Sequence, residues 1–185
     1  MIRAITIYSS SSNTIALEYL RAGEELGRAI AQHKWTLVYG GNSLGLMKAV
    51  ADGARAAGGK VIGITPQIFV DDGCCDPHCD EFIITPDMRQ RKQLLEQRGD
   101  AFIALPGGIG TLEEILEIIA GRSLRFHDKP IVLLNIAGYW DPLLAMIERG
   151  IEQHFIKPRC RNLYFVAKSV QQAMDYLTHP QSPGL

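Results

Sequence analysis

The sequence predicts an α/β fold, a doubly wound parallel sheet with helices on both faces in one three-layer sandwich. Three observations predict it. Short apolar runs alternate with longer segments of helical period along the whole chain. The runs, such as Ile131-Val132-Leu133-Leu134, are continuously apolar, as in strands covered on both faces. Polar or glycine-rich turns follow several of them, at the strand ends where such sheets bind ligands.

Arg3 to Tyr8 reads as the first strand, followed by the polar turn Ser9 to Asn13 with good N-cap residues. Thr14 to His33 is a helix, with Ile15, Leu20, Leu26 and Ile30 at helical spacing. Trp35 to Tyr39 is a strand, Gly40-Gly41-Asn42-Ser43 a glycine turn, and Ser43 the expected cap of a helix to Ala57. Gly58-Gly59 ends that helix, and Lys60 to Thr65 is the third strand. Pro66 to Asp80 shows no period and reads as loop. Glu81 to Thr85 is a short strand, and Pro86 opens a helix to about Arg98. Asp100 to Leu105 is a strand, Gly110 to about Leu124 a helix, and Ile131 to Asn135 a strand. Tyr139 to His154 is a helix, Leu163 to Val166 a last strand, and Lys168 to Leu177 a last helix. Residues 1–178 are expected to form one domain; 179–185 are polar with Pro and Gly and read as a flexible tail.

Composition excludes several classes. A net charge of −1 over 185 residues gives no electrostatic footprint for nucleic acid. No apolar run reaches the roughly 18 residues of a membrane span. The N-terminus enters a strand directly, unlike a signal peptide. Three of the four cysteines sit within six residues (Cys74, Cys75 and Cys79, with Cys160 apart), a poor disulfide framework that suits a reducing cytoplasm.

The chain is organised around Leu105-Pro106-Gly107-Gly108-Ile109-Gly110-Thr111-Leu112-Glu113-Glu114. A strand, a glycine turn and a helix start make an anion site, because amides at a helix N-terminus lack intrahelical acceptors and the dipole favours negative charge. The turns Ser9–Asn13, Gly40–Ser43 and Gly107–Thr111 are expected to meet, which makes Ser10, Gly40 and Gly41 candidate ligand contacts. Neither glycine turn carries a dinucleotide fingerprint or a P-loop lysine. Met88, Arg91 and Lys92 fall close to one helix face: a thioether for a flat base, a planar fork and a point charge for an anion. The plain alternative is a solvated basic face with Arg89 and Arg98. Thr111 and Glu114 also fit a capping box, although a capping box does not require the Pro-Gly-Gly in front.

Met88-x-x-Arg91-Lys92 followed by Pro106-Gly107-Gly108-x-Gly110-Thr111-x-x-Glu114 resembles the LOG (lonely guy) family. These are cytokinin riboside 5′-monophosphate phosphoribohydrolases, often mislabelled lysine decarboxylases. The likeness extends to Tyr39-Gly40-Gly41, Gly45-Leu46-Met47, Val61-Ile62-Gly63-Ile64 and His127-Asp128-Lys129-Pro130, from Ile5 to about Ile156. It implies a Rossmann-like fold, a homodimer (alone or as the unit of a higher oligomer) and no metal or organic cofactor. It implies hydrolysis of a nucleoside 5′-monophosphate, AMP or a cytokinin riboside monophosphate, to free base and ribose 5-phosphate. Arg91 and Glu114 would be the catalytic pair; Lys92, Gly107, Gly108, Gly110, Thr111 and Glu113 would bind substrate. The chain departs from the family at Gly73, Ile109 and Ala120-Gly121-Arg122-Ser123, positions that bear on the base or the dimer contact.

The chemistry is consistent with that implication. Breaking a ribosyl C–N bond develops positive charge on the sugar, which a carboxylate stabilises while it takes a proton from water. Glu113 and Glu114 lie about 100° apart on a helix, so they do different jobs. The family motif selects Glu114 for catalysis and leaves Glu113 for the ribose hydroxyls. A non-catalytic carrier or sensor of a phosphorylated ligand, like the molybdenum-cofactor carriers of similar fold, is the alternative. A lysine decarboxylase would need a lysine for pyridoxal phosphate, and no strand-end lysine is placed for it. Cys74-Cys75-Asp76-Pro77-His78-Cys79 has no second ligand pair at zinc spacing and reads as a loop. His127 reads as a turn residue, and Tyr139-Trp140 as core or interface. The apolar residues Leu94, Leu95, Ile115, Leu116, Ile118 and Ile119 are expected to bury the site helices on two sides, the second against a partner.

Overall fold

A computed structural model describes residues 2–179; of the expected tail, 180–185 lie outside the described residues. The elements are β1 (Ala4–Tyr8), α1 (Leu17–Gln32), β2 (Thr36–Tyr39), α2 (Gly45–Ala56), β3 (Val61–Pro66) and α3 (Gln67–Asp71). They continue with β4 (Glu81–Thr85), α4 (Met88–Arg98), β5 (Ala101–Ala104), α5 (Ile109–Ser123) and β6 (Ile131–Leu134). The chain then forms α6 (Asp141–Glu152), β7 (Phe165–Ala167) and α7 (Val170–Thr178). All seven strands pair in parallel in the order β4-β3-β2-β1-β5-β6-β7. The order runs outward from β1 to β4, then resumes on the other side of β1 at β5. The crevice at β1 and β5 is therefore the topological switch point.

The strands divide their side chains by the two-residue period of the pleat. Ile5 and Ile7 of β1, Leu37 and Tyr39 of β2, and Ile103 of β5 pack with Leu26, Ile30, Leu46, Val50 and Leu177 of α1, α2 and α7. Tyr8, Val38, Phe102 and Ala104 face the other way, onto Leu95, Ile115, Ile118 and Trp140 from the α4, α5 and α6 side. The central strands are covered on both faces, which is why they read as largely apolar runs. The α1–α2 crossing is set by glycines: a Cβ on Gly27 would lie 2.0 Å from the Val50 carbonyl oxygen, and one on Gly53 2.1 Å from that of Glu24.

Several boundaries differ from those the sequence suggests, and at α2 the cap comes from a residue distant in the chain. Helix α1 starts at Leu17, and its N-cap, Ala16, provides no side-chain bond. Ser43 does not cap α2; its hydroxyl donates to the Cys74 carbonyl, and the amide of Gly45 donates instead to Asn13 Oδ1 at 2.8 Å. Pro86 precedes α4 without opening it, and Asp87 caps it by accepting from the Gln90 amide. Asp100 and Leu105 lie outside β5, and Asn135 lies outside β6. The last strand is shifted to Phe165–Ala167, and the helix expected from Tyr139 begins at Asp141. Pro66 to Asp80 is more ordered than a loop. It contains α3, and an isolated bridge pairs Asn42 with Cys75. Buried Asp76 anchors it by accepting from Tyr39 (2.6 Å), Arg55 (2.7 Å) and the His78 amide (3.0 Å).

Candidate active site

The turns after β1, β2 and β5 converge on a cavity of about 500 Å³ at the switch point. That volume lies within the range typical of small-molecule sites. Ser10 reaches it from the first turn and Gly40 from the second; Gly108, Gly110 and Thr111 reach it from the third. Met88 and Arg91 of α4 and Glu113 and Glu114 of α5 complete the set of predicted residues in its wall.

The centre of the wall is a buried ion pair. Arg91 Nη1 donates to Glu114 Oε1 at 2.5 Å, with both side chains almost fully enclosed. Arg91 Nε donates to the Ile64 carbonyl, at 3.2 Å, within β3. A Cβ on Gly40 would lie 2.4 Å from Arg91 Nη2, so glycine there makes room for the guanidinium. Burial raises the Glu114 carboxyl above its ordinary proton affinity, and the adjacent Arg91 charge opposes that rise. A buried pair gains little net stability after desolvation, so its presence in a cavity wall points to chemistry rather than to folding.

The glycine turn lies beside this pair. Gly108 is the N-cap of α5, and no side chain caps that end. Thr111 is therefore inside the helix and Glu114 bonds Arg91, so the capping-box alternative is not what the pair forms. Gly107 is required by the fold: a Cβ there would meet Thr111 Oγ1 at 2.1 Å. Gly108 and Gly110 are different, since a Cβ on either meets no protein atom within 4 Å. Their bareness leaves the amides open to a ligand. The Tyr139 hydroxyl donates to the Gly107 carbonyl at 2.6 Å and pins the turn.

The second glycine turn offers no comparable cradle. Amides at the start of α2 donate to Asn42 Oδ1 (from Leu44), Asn13 Oδ1 (from Gly45) and the Ser10 carbonyl (from Met47). Gly41 does not line the cavity; its φ of +69° and the Phe82 ring, 3.0 Å from where a Cβ would stand, explain the glycine. Lys92 also lies outside the cavity lining, held by Glu113 and, at 3.0 Å, by Glu117. Gly107 lines a smaller adjoining cavity of about 110 Å³ with Ser10 and Tyr139.

Sequence reading missed part of the wall. Phe69, Asp72 and Cys74 come from the segment read as featureless, where a five-residue helix is too short to show a period. Leu44 and Met47 supply an apolar flank from α2. Ser9 also lines the cavity, and nothing in a run of four serines distinguishes it beforehand. The cysteine segment does not converge on a point: Cys74 Sγ and Cys75 Sγ approach different carbonyls, and Cys79 Sγ lies against Tyr39. Among the described residues no group of three or more His, Cys, Asp or Glu is placed to hold a metal ion. His127 lies just beyond the turn after α5, outside the cavity lining, its Nε2 bonded to the Ile118 carbonyl at 3.0 Å. Trp140 is core, whereas Tyr139 belongs to the site's support.

A doubly wound parallel sheet with an uncapped helix N-terminus beside a buried Arg–Glu pair, both in the wall of one cavity, defines an α/β protein with a candidate small-molecule site at its switch point. The comparisons narrow that class. The family described as "Possible lysine decarboxylase" matches residues 47–177. A cytokinin riboside 5′-monophosphate phosphoribohydrolase of Rhodococcoides fascians is 39% identical, over 96% of this chain and 90% of its own length. One from Mycobacterium tuberculosis is 39% identical over 92% and 90%, and one from Arabidopsis thaliana 38% over 95% and 77%. Among solved structures, the molybdenum cofactor carrier protein of Chlamydomonas reinhardtii is 26% identical, with a TM-score of 0.72 over 96% of this chain and 97% of its own. The molybdenum cofactor binding protein of Rippkaea orientalis, 24% identical with a TM-score of 0.73 over 96% of each chain, shares the fold. The chain belongs to the LOG family of cytokinin riboside 5′-monophosphate phosphoribohydrolases.

Proposed function

We propose that this protein hydrolyses the N-glycosidic bond of a nucleoside 5′-monophosphate, AMP or a cytokinin riboside monophosphate. Water adds across the bond: its hydroxyl goes to C1′ and its proton to the base, giving free base and ribose 5-phosphate. The observation that carries the reading is the Arg91–Glu114 pair, enclosed in the wall of the cavity that the bare Gly108–Thr111 turn also lines. The 5′-phosphate sits on the amides of Gly107 to Thr111 and fixes the sugar. The Glu114 carboxylate stabilises the charge developing at C1′ and accepts the proton of the attacking water. Arg91 holds Glu114 and stabilises the negative charge of the departing base. Glu113, at the cavity edge, takes the ribose hydroxyls, and Met88, Leu44 and Met47 flank the base.

The reading requires neither metal nor organic cofactor. Among the described residues no lysine lines the cavity, and Lys92 is engaged by two glutamates, so a decarboxylase using a lysine-bound aldehyde cofactor lacks its anchor. No helix of the described residues is long and apolar enough to cross a membrane, and four free thiols suit a cytoplasmic setting. The test is a panel of nucleoside monophosphates with free base read by chromatography. Adenosine, lacking the group the turn binds, is expected to fall on the order of 10²-fold below AMP in kcat/KM. Equal rates on both would remove phosphate from the glycine turn.

The protein is further proposed to act as a homodimer. Ile118 and Ile119, expected at the partner contact, are buried in the chain's own core, so a charge there would break the fold instead. The exposed apolar residues on this side are Ile109 and Leu116, continued by Leu124 and Phe126; Ile109 and Phe126 are 81% and 77% exposed. Leu116→Glu and Phe126→Glu are expected to lower association in light scattering and activity together. A fully active monomer in a dilution series would end this proposal.

A further inference from the structure

We infer that Ser9 is a substrate-binding residue, its hydroxyl bonding an oxygen of the ribose 5-phosphate half of the substrate. The inference rests on the proposed activity and adds a residue that the family motifs do not single out. Ser9 is 2% exposed, and its Oγ is buried with no hydrogen-bond partner among the described residues. A buried hydroxyl without a partner is unfavourable and rare, and it calls for a specific reason. Trp140 Nε1 shares that condition, but Trp140 sits within the core, whereas Ser9 lines the cavity.

The backbone on both sides of Ser9 is held in place. The Tyr8 carbonyl before it accepts from the Leu105 amide at 2.9 Å, and the Ser10 carbonyl after it accepts from the Met47 amide at 3.1 Å. The residue is thus clamped at the carboxyl end of β1, in the middle of the sheet. On one side stands β2, continuing into Gly40 and the guanidinium of Arg91; on the other stands β5, continuing into the glycine turn. A ligand with its phosphate on that turn and its C1′ at Glu114 carries its sugar past this point. A hydroxyl that donates and accepts suits either a sugar hydroxyl or a phosphoryl oxygen.

Ser9→Ala separates binding from structure by the sign of two effects. Removing an unpartnered hydroxyl deletes no bond of the free protein, so its melting temperature is expected to stay the same or rise. Calorimetry with ribose 5-phosphate should show roughly tenfold weaker binding, the worth of one neutral hydrogen bond, with binding of free adenine unchanged. Inorganic phosphate as a second titrant identifies the oxygen: a parallel loss places the bond on the phosphoryl group, and no loss places it on the sugar. KM for AMP should rise by a similar factor with kcat within about threefold, because the bond is made equally in ground and transition states. Wild-type affinity for ribose 5-phosphate in Ser9→Ala overturns the assignment. A lower melting temperature or an unfolded variant also overturns it, since the hydroxyl would then serve the fold. A wild-type protein that neither hydrolyses AMP nor binds ribose 5-phosphate removes the functional reading first, and the role of Ser9 with it.

Discussion

Glu114→Gln is expected to lose at least ~10²-fold in kcat, about 2.7 kcal/mol of transition-state stabilisation, while keeping fold and phosphate binding. The side chain keeps its length, and an amide oxygen still accepts from Arg91 Nη1. In the proposed mechanism, what disappears is the negative charge that stabilises C1′ and the group that takes the proton from water. Because Glu114 does not cap α5, no helix-terminal bond is lost with it. Circular dichroism and ribose 5-phosphate titration should therefore match the wild type. Turnover of AMP near the wild-type rate would show that Glu114 is not the catalytic carboxylate.

Arg91→Ala is expected to damage both activity and stability. It leaves the enclosed Glu114 carboxylate without its counterion, at a cost of about 3–5 kcal/mol at neutral pH. Burial already holds the Glu114 carboxyl above its ordinary value of 4.5, and loss of the opposing Arg91 charge raises it further. An acid with a raised folded-state pKa makes the folded state bind the proton more tightly than the unfolded state. Stability therefore falls as pH rises from the ordinary carboxylate value through the raised one. The penalty in Arg91→Ala should shrink toward acid and be largest at neutral pH, as read from urea midpoints at several pH values. With Glu114 as the proposed base, the acid limb of kcat/KM should follow its ionisation, lie above pH 4.5 in the wild type and move upward in the variant. Arg91→Lys keeps a charge but not the fork that reaches both Glu114 and the Ile64 carbonyl, so it should rescue stability better than rate. A pH-independent penalty and an unmoved acid limb would show that the two side chains are not coupled.

Much of the fold was legible because most strands are short, largely apolar runs and helices such as α1, α2 and α6 carry a clear apolar period. The boundaries were less so. Asn13 caps α2 from another loop, and α3 is shorter than two helical turns; neither leaves a local signal. The order of strand, glycines and helix around Gly107–Thr111 could be read from the sequence, and the structure has that order with no side chain capping the helix start. The link between Arg91 and Glu114, on different helices, was not contained in any local pattern; the family resemblance suggested it and the geometry supplies the bond. Helical spacing placed Lys92 close to the face of Arg91, yet a step of one residue turns it out of the cavity toward Glu113 and Glu117. The same rotation separates buried Glu114 from exposed Glu113; the sequence showed that the two point in different directions but not which of them is buried. The apolar residues of α5 were over-assigned to a partner, because Ile115, Ile118 and Ile119 are consumed by the chain's own sheet face, leaving Leu116 outward.

The central claim is that this cavity cleaves a nucleoside 5′-monophosphate rather than storing it. The most direct measurement incubates purified protein with AMP and quantifies adenine and ribose 5-phosphate together. The expected result is equal molar amounts of both from the wild type and neither above background from Glu114→Gln. AMP bound by the wild type and recovered intact would contradict the account and leave a carrier in place of an enzyme.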